Sequence, residues 1–63
     1  MNKIREQRKK YKLKQKELAE IMRVSQGTIS QWETGLTNPK TKMLPLLAKT
    51  LECEIEDLIN IPA

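Results

Sequence analysis

Apolar residues along this chain recur at helical spacing in short bursts, separated by polar or turn-forming residues. Residues 2–12 read as a first helix in which Ile4, Arg8 and Tyr11 fall at i, i+4 and i+7, a narrow stripe that contains a cation. Leu13 interrupts that pattern. A second helix is expected from about Gln15 to Met22, with Leu18, Ala19 and Met22 on one face and Ile21 at its edge. Ser25 suits a helix N-cap, because its hydroxyl can accept from the backbone N–H of Thr28. A third helix follows to about Thr34, anchored by Ile29 and Trp32, and Gly35 stands where a left-handed residue closes it.

Residues 36–40 carry an Asn-Pro turn signal and read as a loop. A fourth helix from about Lys42 to Leu51 presents Leu44, Leu47, Ala48 and Leu51 on one face. Pro45 is tolerable only in its first turn, where backbone N–H groups have no intrahelical partner, so this helix starts no earlier than about Thr41. A last short helix, about Glu54 to Asn60, carries Ile55, Leu58 and Ile59, with Pro62 beyond it. Leu58, Ile59 and Ile61 suit either the core or a dimer surface. The expected architecture is all-α: a single domain over residues 1–63 built from five short helices.

Sixty-three residues allow one modest core and leave little room for a deep enzymatic cleft. With no histidine and only Cys53 among the thiols, the chain lacks zinc ligands and cannot form an internal disulfide. No nucleophile–base constellation or phosphate-cradling loop occurs, so neither enzymatic activity nor a cofactor is expected. Cys53 reads as a small apolar filler. No apolar run approaches the roughly 20 residues of a membrane span, and nothing resembles a signal peptide; a soluble, cytoplasmic protein is the expectation.

Charge is distributed unevenly. Residues 1–23 hold nine basic side chains against Glu6, Glu17 and Glu20, whereas residues 24–63 hold three against five acidic ones. Such an asymmetric basic half suits a polyanionic partner, nucleic acid or an acidic membrane surface. The first helix has too thin an apolar face for a membrane binder, with Gln7 and Arg8 in the stripe. Its lysines read as a solvated, generally attractive face rather than as specific contacts.

Helices two and three point to one of these partners. Only Arg23 to Ser25 separate them, and so short a link forces a steep crossing. Ala19 is small enough for the contact, and Val24 can plug the turn. On helix three, Ile29, Trp32 and Glu33 cluster on one side, while Gly27, Ser30, Gln31 and Thr34 lie opposite, with Gln26 and Thr28 flanking. That outward face is uncharged and rich in hydrogen-bonding groups, where an ordinary solvated helix carries Lys and Glu. Glutamine can engage adenine through two hydrogen bonds, and a threonine methyl can touch that of thymine.

Gln15, Ala19, Ile29 and Trp32 stand at positions 1, 5, 15 and 18 of a twenty-residue helix-turn-helix pattern. The strings Leu-Lys-Gln-Lys-Glu-Leu-Ala and Val-Ser-Gln-Gly-Thr-Ile-Ser-Gln-Trp-Glu-Thr-Gly resemble the Cro- and lambdoid-repressor-like family, also called the xenobiotic-response-element type. The likeness continues through Asn-Pro, Leu-Leu-Ala-Lys-Thr-Leu and Glu-Asp-Leu-Ile, essentially the whole chain. It implies a five-helix lambda-repressor-like DNA-binding domain with helix three in the major groove. By position, Gln26, Gly27, Thr28 and Gln31 match base-facing sites, although Gly27 has no side chain to read with. Gln15, Ser30, Thr34, Lys40 and Lys42 are assigned to phosphates, and Arg8 and Glu33 to a partly buried ion pair.

Three departures from the family pattern carry structural expectations. Arg23 occupies a turn position usually given to glycine, which implies modest strain or a shifted turn. Glu52 replaces a common glycine after helix four, and Lys14 and Glu54 replace small N-caps, so helices two and five are expected to fray at their starts. Together the readings imply a transcriptional regulator, a repressor, bound to double-stranded DNA at a pseudo-palindromic operator as a homodimer that the DNA itself helps to assemble. The competing expectation is a protein-interaction module of the antitoxin type, with DNA binding secondary.

Overall fold

The computed structural model of the chain describes residues 2–59. Four α-helices run in the order α1 (Ile4–Lys10), α2 (Gln15–Met22), α3 (Gln26–Thr34) and α4 (Leu44–Leu51), with 3-10 turns at Thr41–Met43 and Ile55–Leu58. No strand occurs among the described residues. Each helix and the final turn contribute to one core of Ile4, Leu18, Ala19, Met22, Ile29, Trp32, Leu44, Leu47, Leu51 and Leu58. The most extensive helix–helix contact is between α2 and α3, where Ala19 keeps the packed face small. Val24 and Cys53 are half-buried against this cluster.

α1 brings only Ile4 into the core, and Tyr11, the other apolar member of its stripe, is exposed. Polar ties do the rest. Asn2 accepts from the Ile4 N–H through Oδ1 at 3.1 Å and donates through Nδ2 to the Trp32 carbonyl at 2.7 Å. Gln7 Nε2 donates to the Leu51 carbonyl at the end of α4 (3.0 Å), and the Lys3 N–H donates to the Asp57 carbonyl (2.6 Å). The central tie is Arg8, whose Nε donates to Glu33 Oε2 at 2.6 Å, Nη2 to Glu33 Oε1 at 3.3 Å and Nη1 to the Leu13 carbonyl at 2.8 Å. The side chains of this pair are 10% and 4% exposed, which places the charges outside the reach of solvent screening.

All four helices end alike. A left-handed residue is followed by one whose N–H reaches five residues back: Leu13 to the Arg8 carbonyl, Val24 to Ala19, Leu36 to Gln31 and Cys53 to Ala48. The arrangement satisfies carbonyls that a helix end leaves without partners. Only Gly35 adopts the left-handed conformation without penalty; Lys12, Arg23 and Glu52 take it at φ of 57°, 58° and 49°. The turn at Arg23 is therefore strained rather than shifted, and Lys12 is a third strained position that its sequence context did not announce.

Helix starts differ from expectation in an instructive way. Neither Lys14 nor Glu54 caps with its own side chain, yet the carboxylate three residues on accepts from the backbone N–H of each. Glu17 Oε1 does so at 2.8 Å and Asp57 Oδ2 at 3.2 Å, so these starts are held rather than frayed. α4 begins at Leu44, later than Lys42, because Pro45 has no N–H for the Thr41 carbonyl; the Leu44 N–H serves it instead in 3-10 fashion. In place of a fifth helix over residues 54–60, the chain makes the 3-10 turn Ile55–Leu58. The Asp57 carbonyl is engaged by Lys3, and Ile59 is already extended at φ −123°, ψ 155°. Only Leu58 of this segment is fully buried; Ile55 is exposed and Ile59 half-buried. The expectations for Asn60, Ile61 and Pro62 lie outside the described residues.

Two stability outcomes follow from these contacts. Arg23→Gly removes left-handed strain and should stabilise the protein by about 1 kcal/mol, raising Tm by roughly 4–8 °C for a chain of this size; an unchanged melting curve would mean that the turn relaxes at no cost. Truncating one partner of the buried pair, Arg8→Ala or Glu33→Ala, should cost about 3–5 kcal/mol. The apolar double replacement Arg8→Met with Glu33→Leu should cost far less than the sum of the two truncations, as read by urea denaturation.

Candidate nucleic-acid interface

α3 is held on the core by Ile29, Trp32 and Glu33, and its start is closed by Ser25, whose Oγ accepts from the Thr28 N–H at 3.1 Å. The rotation of α3 about its own axis follows from these three buried residues. Gln26, Gly27, Gln31 and Thr34 are exposed, while Thr28 and Ser30 are half-buried at the flanks. Nothing on the exposed face bears a charge. The Gln31 side chain has no hydrogen-bond partner among the described residues, so its amide is available to an external donor–acceptor pair.

The hydroxyls are more engaged than their composition suggests. Thr28 Oγ1 shares a hydrogen with Ser25 Oγ at 2.9 Å, so its hydroxyl is already engaged. Thr34 Oγ1 donates back to the Gln31 carbonyl at 3.2 Å. Gly27 is helical, and a Cβ added there would meet only Ser25 Oγ, at 3.8 Å. The fold therefore places no demand for glycine at this position.

Gln15, the first residue of α2, links two sets of residues that the sequence kept apart. Its Nε2 donates to Glu33 Oε1 at 3.1 Å, and its Oε1 accepts from Gln26 Nε2 at 3.4 Å. A chain of hydrogen bonds thus runs from the buried Arg8 through Glu33 and Gln15 to the exposed Gln26. Gln26, Ser30 and Glu33 follow one stripe of α3 at i, i+4 and i+7, so the inward carboxylate and the outward amide are ends of the same row. With the Gln15 side chain already tied to protein groups, its backbone N–H in the first turn of α2, which has no intrahelical partner, is the part best suited to an anion. Neither link was visible from spacing, because Gln15 and Glu33 stand 18 residues apart.

An open groove of about 990 Å³ lies between α1 and the α2–α3 pair, and Gln15, Gln26, Ser30 and Thr34 line it. Gln31, Gly27 and Thr28 face elsewhere on α3. Lys40 and Lys42 are exposed beside and within the Thr41–Met43 turn and do not line the groove. Cys53 is half-buried; burial, with the carboxylates of Asp57 and Glu54 nearby, pushes its thiol above the usual value. Among the described residues no helix is long and apolar enough to cross a membrane.

Similarity to known proteins places this arrangement. A helix-turn-helix family model matches residues 4–58. The sequence is 40% identical over 57 residues to Repressor protein C2 of Salmonella phage P22, a match covering 90% of this chain and 26% of that protein. It is 42% identical over 50 residues to the HTH-type transcriptional regulator DicA of Escherichia coli (strain K12), covering 79% of this chain and 37% of that protein. The chain spans between about a quarter and just over a third of the length of these relatives. With helices α2 and α3 in tight succession, α3 exposing an uncharged polar face and the family match spanning nearly every described residue, the chain belongs to the Cro/lambdoid-repressor-like helix-turn-helix family.

Proposed function

We propose that residues 1–63 form one DNA-binding domain of a sequence-specific transcriptional repressor, with α3 seated in the major groove of double-stranded DNA. The observation that carries this reading is the exposed face of α3: free of charge, and held in orientation by three buried residues behind it. Gln26 and Gln31 are the readers of base edges, and Thr28 offers a methyl to thymine. The Gln15 backbone, Ser30, Lys40 and Lys42 hold phosphates, joined by Thr34 once its hydroxyl turns from the Gln31 carbonyl, and these contacts set register without reading sequence. The printed names of the two relatives, a repressor and a transcriptional regulator, support the same activity for this chain.

So small a surface makes few base contacts. A homodimer on a pseudo-palindromic operator doubles them, with half-sites about 34–36 Å apart, and shared binding to one duplex brings the two copies together. The cytoplasm is where such a protein meets its operator.

Selection from random duplex DNA, followed by affinity measurement over a range of salt, tests the reading. A two-fold motif and a steep salt slope are expected; uniform weak binding to every duplex would overturn it. On the selected site, Gln31→Ala should lose about 1–3 kcal/mol of preference at one base pair per half-site, and an equal loss on all sequences would remove Gln31 from the set of readers. Gly27→Ala should stabilise the fold by up to about 1 kcal/mol in urea melts while weakening operator binding, because the new methyl projects from the reading face. Unchanged affinity in that variant would place Gly27 outside the contact.

A further inference from the structure

α1 is fastened to the rest of the protein at carbonyls that end other helices. Asn2 Nδ2 donates at 2.7 Å to the Trp32 carbonyl in the last turn of α3. Gln7 Nε2 donates at 3.0 Å to the carbonyl of Leu51, the last residue of α4. Helix-end carbonyls lack part of their intrahelical partners and accept from outside. Both amides are half-buried, which partly shields these bonds from water. Asn2 also accepts from the Ile4 N–H through Oδ1 at 3.1 Å, so one side chain both starts α1 and ties it to α3.

These ties connect parts of the molecule that otherwise meet little. α3 and α4 touch each other less than either touches α1. The buried pair of Arg8 and Glu33 sets α1 against α3 but does not reach α4, whereas Gln7 does. α4 follows directly on the Thr41–Met43 turn, so Lys42 within that turn and Lys40 just before it move with α4, while Gln26 and Gln31 move with α3. Asn2 also lines the open groove beside the cations Arg5, Lys9, Lys14 and Lys16, so a change of charge at this end of α1 has to be separated from a change of geometry.

We propose that Asn2 and Gln7 are positioning residues for DNA recognition. Through α1 they hold α3 and α4 in one mutual setting, so that the base-reading amides and the phosphate-holding lysines fit a single duplex at once. The proposal rests on the reading that Gln26 and Gln31 face bases and that Lys40 and Lys42 face phosphates. Phosphate contacts attach and base contacts specify, so a slip between the two groups spares attachment and costs discrimination. The tolerance for such a slip is small, about 0.5 Å. Hydrogen bonds suit the task because they are directional, unlike the apolar contact of Ile4, the one aliphatic side chain that α1 buries.

Gln7→Met removes the donor to Leu51 at similar side-chain length and with no change of charge. Asn2→Asp keeps the acceptor for Ile4 and removes the donor to Trp32. Each variant is measured by fluorescence anisotropy on a labelled duplex carrying the selected site and on a scrambled duplex, at a temperature where its thermal melt shows it folded. The ratio of the two affinities should fall by roughly tenfold in each, about the discrimination that one base contact carries. Affinity of Gln7→Met for the scrambled duplex should stay at the wild-type value. Gln7→Lys, whose ammonium can donate to the same carbonyl, should keep the wild-type ratio. Lys49→Gln shifts net charge as Asn2→Asp does, away from both ties, and should keep it too. The two donor-lacking variants alter different ties, so if one misfolds the other decides. A lower Tm with an unchanged ratio would make the amides structural ties only and overturn the proposal, with the DNA-binding reading intact. An equal loss of ratio in Gln7→Lys or Lys49→Gln would overturn it as well. If the wild-type protein binds both duplexes equally, the reading falls and the proposal with it.

Discussion

A charged pair sits where α1, α2 and α3 meet. Arg8 and Glu33 are withdrawn from water, a placement that costs several kcal/mol per ion unless geometry and hydrogen bonding are both good. Here they are. The guanidinium donates from Nε, Nη1 and Nη2, and the carboxylate accepts from Arg8 twice and from Gln15 once. Among the described residues no buried side-chain nitrogen or oxygen is left without a partner. The pair contributes orientation more than net stability, since an apolar pair of similar volume would fill the same space at less electrostatic cost.

Its directionality matters because the apolar framework around it is thin. α1 has one fully buried aliphatic side chain, and hydrophobic contact alone would let so short a helix roll or slide. Arg8 bonds on two sides, to Glu33 of α3 and to the Leu13 carbonyl that leads into α2, and so sets both the rotation of α1 and its distance from α3. The same Glu33 anchors Gln15, and Gln15 meets Gln26. One buried interaction thereby positions the exposed Gln26 amide, the start of α2 and the wall of the cationic groove.

Strain is tolerated at the turns between these elements. Three of the four left-handed helix ends carry Lys12, Arg23 and Glu52, each long and charged. At such positions the side chain reaches solvent and the backbone cost, about 1–2 kcal/mol each, is offset by the carbonyls that the motif satisfies. The apolar residue after three of these turns, Leu13, Val24 or Cys53, packs against the core, so the turns also contribute to burial.

Much of this was legible in the residues. The spacing of Leu18, Ala19, Met22, Ile29, Trp32, Leu44, Leu47 and Leu51 specified helices α2, α3 and α4 and their inward faces, because helical periodicity is a local property. Ser25 and Gly35 marked the ends of α3 for the same reason. Where a local signal was outweighed, a tertiary contact did it: Asp57 and its carbonyl, shared between Glu54 and Lys3, hold residues 55–58 as a 3-10 turn instead of a helix. Pattern alone also could not show that Gln15 bridges Glu33 and Gln26, or that Arg5, Lys9, Lys14 and Lys16 face α3 across a groove. The sequence by itself determined which helices form and which faces they bury, since both depend on residues three or four apart. Only the tertiary structure decided which polar side chains meet, since that depends on how the helices are set against one another, and here a single buried ion pair sets them.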